Sequence, residues 1–307
     1  MPLRALLTLV SATSLWGVSS ALMAMVATGF ASAALVSAGG AMAVLVFAIV
    51  RRERPLRALA SDWRLYLSLG VLEVVNLVLY MGALHLGPLP MMVALHLAAP
   101  IVLVGARIVR SGTVSNPIAL TEIALVTAAI VLVVGGHPGS STTVNVFAGC
   151  LLALGSAGCV ALLITIVARN SRDRAPLSSA GLQLAIASVL GAPLLTIAPP
   201  SGEKSMALLA IGAFFLGPGF VGYWWALRTL DAPTAGIVGL NEAVTASIVG
   251  AVVAGNQLTV PVVGAGILVL IAVGLEVRMS PKPDVPQRRT MRRTRDPYPR
   301  RWSRRHC

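Results

Sequence analysis

Three ionisable side chains, Glu73, His96 and Glu242, stand near the centres of long apolar runs. An acid at the middle of a membrane-embedded helix costs ~2.5–3.5 kcal/mol on insertion scales, and such groups usually face a bundle interior or a wet cavity. Two readings are open for each: a packing anchor bonded to a neighbouring helix, or a group that exchanges a proton or a cation. Glu73, Asn76 and Tyr80 recur at i, i+3 and i+7, which stacks them on one helical face. His96 and Pro100 share a face of the next segment, and Pro100 leaves the His96 carbonyl without its usual donor. Asn241 and Glu242 form a further polar pair. Gly217-Pro218-Gly219 precedes Tyr223; a break there would free backbone carbonyls, while a kink would only help packing. Substrate or proton binding is expected at Glu73, Asn76, Tyr80, His96, Tyr223, Asn241 and Glu242, with Trp16, Pro100 and Gly219 lining the cavity around them.

The chemistry this implies is competitive. One carboxylate holds a proton or a substrate ammonium but not both at once, which is the simplest logic for exchange. His96 extends the proton route, because an imidazole titrates near neutral pH. Asn76, Asn241, Tyr80 and Tyr223 supply neutral hydrogen bonds. The acids are dispersed over different segments, and no metal-ligand spacing, phosphate-binding loop or nucleophile elbow accompanies them. Neither a metal, a cofactor nor an enzyme is therefore expected; an enzyme acting on a lipid-linked substrate would need clustered acids.

Helices must carry these groups. Apolar residues make up 56 % of the 307 and charged ones 11 %, about half the soluble average. Neither 5–50 nor 123–168 contains a charged residue, and each outruns two spans of ~20 residues. Each must fold back once, with turns at Gly29 and at 136–141. The runs are uniformly apolar rather than alternating, which favours helices over a barrel. Ten spans are predicted at about 5–23, 29–50, 65–84, 88–106, 117–135, 147–168, 177–198, 205–227, 232–254 and 258–278. A second long apolar segment follows the first at once, so the first reads as a retained helix and not a signal peptide.

Charge orients them. With the N-terminus inside, every one of the 24 Lys and Arg residues except Lys204 falls on the cytoplasmic side, as basic-loop retention requires. A multi-pass protein of a bacterial inner membrane with both termini cytoplasmic is the expectation. The net charge of +13 sits largely in 280–307, which holds ten Lys and Arg against two acids and five prolines. Such a segment cannot bury enough surface to fold alone. It reads as a disordered tail, either merely solvated or drawn to anionic lipids at ~1 kcal/mol per basic residue; charge aside, nothing points to nucleic acid. Cys150 and Cys159 read as small packed apolar residues.

A shift of 143 residues lays Tyr80, Ala83, Leu84, Pro90 and Leu97 on Tyr223, Ala226, Leu227, Pro233 and Leu240, and carries spans one to five onto six to ten. A repeat with an odd number of spans inserts its second copy upside down, an architecture that recurs in secondary transporters. The fold class is thus all-α membrane protein, ten transmembrane helices in two inverted five-helix repeats, 1–135 and 136–279.

On Trp16-Gly17, Asn76 through Tyr80, Val93 through Pro100, Gly149 through Gly155, Tyr223 through Leu227 and Asn241-Glu242, the chain resembles the EamA type of the drug/metabolite transporter superfamily, most of all its threonine/homoserine-exporter branch. The branch commonly carries an acid where His96 stands and a proline where Ala243 stands. The resemblance implies proton-coupled efflux of a small polar metabolite such as an amino acid or analogue. The alternatives are drug or toxic-compound efflux by the same fold, or a non-transporting membrane scaffold. Expected partners are a small molecule, H+ and the bilayer; oligomeric state is open.

Overall fold

The structure, a computed structural model, describes residues 3–26, 29–103, 105, 117–135, 143–255 and 258–279. Arg107, Arg110, the 136–141 turn and the basic tail lie outside the described residues. Among the described residues there are helices and connecting turns, and no strand. In chain order the helices are α1 (Leu3–Val26), α2 (Gly29–Val50), α3 (Pro55–Leu86), α4 (Leu89–Leu103), α5 (Pro117–Gly135), α6 (Thr143–Asn170), α7 (Pro176–Ile197), α8 (Gly202–Ala226), α9 (Ala232–Val253) and α10 (Val260–Met279). Among the described residues, seven (α1, α2, α3, α6, α7, α8 and α9) are long and apolar enough to cross a bilayer. The apolar stretches Leu89–Leu103, Ile123–Val133 and Val260–Leu275 are shorter. Large apolar side chains such as Val46, Val131, Phe214 and Val252 lie exposed on the outside, a surface suited to hydrocarbon rather than water. The protein is multi-pass.

Local chemistry explains the ends and breaks. Gly29 takes the left-handed φ of 70° that the first fold-back needs. α3 starts ten residues earlier than the predicted span: Pro55 opens its first turn, and Asp62 (φ −131°, ψ 36°) kinks it before the apolar part begins. α4 is interrupted at Leu97–Ala98, where the missing Pro100 N–H breaks the ladder to His96. α8 contains a π-type turn at Gly212–Leu216 and then runs unbroken through Pro218 and Gly219. The Gly-Pro-Gly motif thus produces a wide turn upstream of itself, since Pro218 lacks the N–H that residue 214 would accept. In α9, Asp231 caps the start by accepting from the Thr234 N–H at 3.0 Å. The helix breaks at Leu240 and resumes at Asn241, an interruption that no proline announces.

α2 packs on α7 and α8, α3 on α6 and α7, α1 on α8 and α9, α4 on α6, and α5 on α10. The α2–α8 crossing is the tightest place. A Cβ at Gly39 would fall on the Leu209 carbonyl, one at Gly212 on the Val36 carbonyl, and one at Gly217 within 2.9 Å of the Gly40 carbonyl. Close backbone approach of this kind is how helices adhere in lipid. The glycines of α6 and α10 are mixed: a Cβ at Gly149 or Gly155 would meet Met92 Sδ at 3.1 Å or Leu79 Cδ1 at 3.3 Å, whereas Gly158 and Gly266 have nothing within 4 Å.

One end of the bundle is polar and knitted. The Asp62 carboxylate pairs with Arg174 at 3.2 Å. Glu53 accepts from both the N–H and hydroxyl of Ser178 at 2.7 Å, and Tyr66 shares a 3.1 Å hydrogen bond with Ser179. Arg228 donates to the Arg172 carbonyl. The predicted basic loops around Arg51–Arg64, Arg169–Arg174 and Arg228 therefore meet at a common end. Gly212→Val should cost at least ~1–3 kcal/mol by overpacking, read as a lower thermal midpoint in detergent. Gly202→Ala, whose Cβ meets nothing within 4 Å, should leave the midpoint unchanged.

Candidate functional site

A cavity of about 80 Å³ opens between α1, α3, α4, α6, α7, α8 and α9. At ~10–15 Å³ for one water, it holds several. Its polar walls include Glu73, Asn76, Tyr80, His96, Tyr223 and Glu242, joined by Trp16 and Pro100. Glu73, Asn76 and Tyr80 are buried on the inner face of α3, whereas Val71 and Val75 on its other side are exposed. The i, i+3, i+7 spacing thus becomes a stripe turned inward.

Glu73 is 1 % exposed. Its Oε2 accepts from Gln183 Nε2 at 2.9 Å, and Gln183 Oε1 accepts from Trp224 Nε1 at 3.0 Å. An indole N–H can only donate, so Trp224 forces the amide to present its NH₂ to Glu73. Glu73 Oε1 and the hydroxyls of Tyr80 and Tyr223 are buried with no partner in hydrogen-bond geometry. Glu242, on the opposite wall, accepts from the Ser20 hydroxyl at 2.9 Å through Oε1.

His96 belongs to a separate thread. The Ser156 hydroxyl donates to Asn76 Oδ1 at 2.6 Å, with a longer approach to the Asn76 carbonyl at 3.2 Å, and lies 2.7 Å from His96 Nδ1. Its single proton is engaged by Asn76, so Oγ accepts and His96 donates from Nδ1. The ring stacks on Tyr80 with centroids 4.1 Å apart. Trp16 lies against Phe220 and Tyr223, centroids 4.9 and 5.0 Å away, and donates to the Leu216 carbonyl at 3.4 Å.

Two expected residues stand elsewhere. Asn241 does not line the cavity. Its Nδ2 donates to Ser14 Oγ at 2.9 Å and approaches Thr13 Oγ1 and the Val10 carbonyl at 3.3 Å. It clamps α9 to α1, because a broken helix needs an anchor on each side of the break. Gly219 is a seat for Trp16, whose indole an added Cβ would strike, and not a lining group. Sequence reasoning overlooked Gln183, Trp224, Ser20 and Ser156. Gln183 carried a usable signal, as the one amide within the apolar 177–198 run. The serines carried none, since serine is frequent in apolar helices. A larger cavity of about 300 Å³ between α4, α5, α9 and α10 is apolar apart from Ser247, and among the described residues no titratable group lines it.

Gln183→Leu strips Glu73 of its donor. The expected loss is ~1.5–3 kcal/mol, the worth of a hydrogen bond to a charged group, measured by denaturation in mixed micelles. Gln183→Asn should not restore it, being too short to hold Glu73 and Trp224 together.

Residues 147–277, which include nearly all of α6 and most of α10, match the EamA-like transporter family. No curated protein matches the chain. A solved crystal structure aligns with 89 % of this chain and 97 % of its own, with a TM-score of 0.69 and 20 % sequence identity; that likeness speaks for the fold alone. Through residues 147–277, the chain carries an EamA-like transporter segment, which supports the drug/metabolite transporter superfamily as its place.

Proposed function

We propose that this protein is a proton-coupled secondary transporter that exports small polar metabolites bearing an ammonium group, amino acids and their analogues among them. One observation carries the reading: two carboxylates from different helices, one with an unpartnered oxygen, line the same cavity inside an apolar bundle. A proton and an ammonium compete for such a group, and that competition couples their flows in opposite directions. The EamA-like segment supports a transporter over a scaffold or an enzyme.

Alternation of access follows from two antiparallel five-helix units, 1–135 and 136–279, rocking about the cavity. Helix packing supports this arrangement. Exchanging each helix with the one five places on converts the α1–α8 contact into α6–α3 and the α2–α8 contact into α7–α3, and returns α2–α7 and α5–α10 to themselves; all of these are present. The polar end carrying Asp62 and Arg174 would face the cytoplasm of a bacterial inner membrane, as the basic loops direct. In that orientation, the contacts among Asp62, Arg174, Glu53 and Ser178 lie on the cytoplasmic side.

Counterflow in proteoliposomes tests the scheme. Glu73→Gln and Glu242→Gln should each cut transport driven by a pH gradient by at least about tenfold, that is ~1.4 kcal/mol. Undiminished flux in both variants would refute the carboxylate mechanism.

A further inference from the structure

We infer that the cavity selects organic monocations, amines or quaternary ammonium ions with an aromatic or aliphatic body and no carboxylate, over zwitterionic amino acids. The inference rests on the transport reading and narrows the cargo of the same site.

A buried carboxylate requires a cation or several N–H donors. Among the described residues, no Lys or Arg lines the cavity. The titratable groups that do are Glu73, Glu242, His96, Tyr80 and Tyr223, and the Cys159 thiol on α6 lies near Glu73. The amide, imidazole and Ser20 donors are engaged, which leaves only the neutral hydroxyls of Ser19, Tyr80 and Tyr223 without a partner. Gln183 gives an N–H to Glu73, His96 gives its Nδ1–H to Ser156, and Ser20 donates to Glu242. Asn241 is turned to α1. The helix interruptions do not help either. In α9 the helix resuming at Asn241 carries Glu242 in its first turn, which already matches the positive end of that dipole. In α4 the first turn after the break contains Pro100, which has no N–H to offer.

Acceptors, by contrast, are left over. Glu73 Oε1, which as a carboxylate oxygen can only accept, has no partner, and neither do the Tyr80 and Tyr223 hydroxyls, which can accept as well as donate, although all three side chains are buried and line the cavity. Trp16, Phe220 and Tyr223 form one contiguous aromatic wall, and the faces of such rings attract cations. Leu77, Leu163 and Ile164 add apolar lining for the body of the ligand. An ammonium finds acid, hydroxyl oxygen and ring faces here, whereas a carboxylate beside it meets two acids and no Lys or Arg, with only neutral hydroxyls to donate to it.

Phenethylamine and phenylalanine differ by that one carboxylate, and 3-phenylpropionate carries the carboxylate without the amine. Titration calorimetry on the full-length protein in detergent should show phenethylamine binding at least about tenfold more tightly than phenylalanine, and no competition from 3-phenylpropionate. The amine is protonated throughout the range from about pH 6 to about pH 8, so its affinity should rise with pH as the competing proton is withdrawn. Glu73→Gln with Glu242→Gln should abolish binding, with the thermal midpoint recorded to confirm folding; the comparison among ligands on the unaltered protein needs no variant. Equal or tighter binding of phenylalanine, or no binding of the amine, overturns the inference. Proton-coupled flux separates the two readings. Transport of phenylalanine in preference to the amine leaves a transporter and removes the selectivity. Amine binding without ligand-driven proton movement leaves the selectivity and removes the coupling.

Discussion

A polar side chain inside a lipid-embedded bundle has no water to fall back on, so it must be met by a group on another helix. Among the described residues, most of the tertiary polar contacts answer that requirement across the same boundary, joining the first 135 residues to the rest. Ser20 meets Glu242, Glu73 meets Gln183, and Asn76 and His96 meet through Ser156. Trp16 reaches the Leu216 carbonyl, and Asn241 reaches α1. The two parts of the chain thus adhere through polarity at the centre and at the end held by Asp62 and Arg174. Their hydrocarbon-facing sides remain apolar.

Those contacts differ in what they leave unfinished. The Asn241 amide and the Ser156 hydroxyl are engaged, and they serve as anchors. Glu73 keeps one oxygen unpartnered, and so do the two tyrosines. Trp224 explains why Glu73 can be held in place while remaining open. By fixing the Gln183 amide it supplies one dependable donor, and the second oxygen of this cavity-lining carboxylate is left without a partner. Support on one side and vacancy on the other separates a binding carboxylate from a packing one.

Glycines and breaks set the space available. The α2–α8 crossing draws backbones together until a single methyl group would collide, which brings α8 and its Trp16-stacked aromatics against the cavity. The interruptions of α4 at Leu97 and of α9 at Leu240 lie next to His96 and Glu242. Irregular backbone at membrane depth is tolerated where it is buried in protein or borders a cavity, and both breaks do so.

Membrane insertion, helix identity and the inward stripe of Glu73, Asn76 and Tyr80 were legible in the sequence, because hydropathy and the helical period are local properties of consecutive residues. So was the break at His96, which one proline dictates, and the turn at Gly29. The partners were not. Asn241 and Glu242 are neighbours with the same polar signature, yet one clamps two helices and the other lines the cavity, and only the position of α1 decides between them. Gln183 and Ser156 acquire their roles from residues 41 to 110 positions away. The interruption at Leu240 has no proline to announce it. Side-chain spacing determines which face of a helix is polar; which neighbour that face meets, and whether any atom is left without a partner, follows only once the helices are packed.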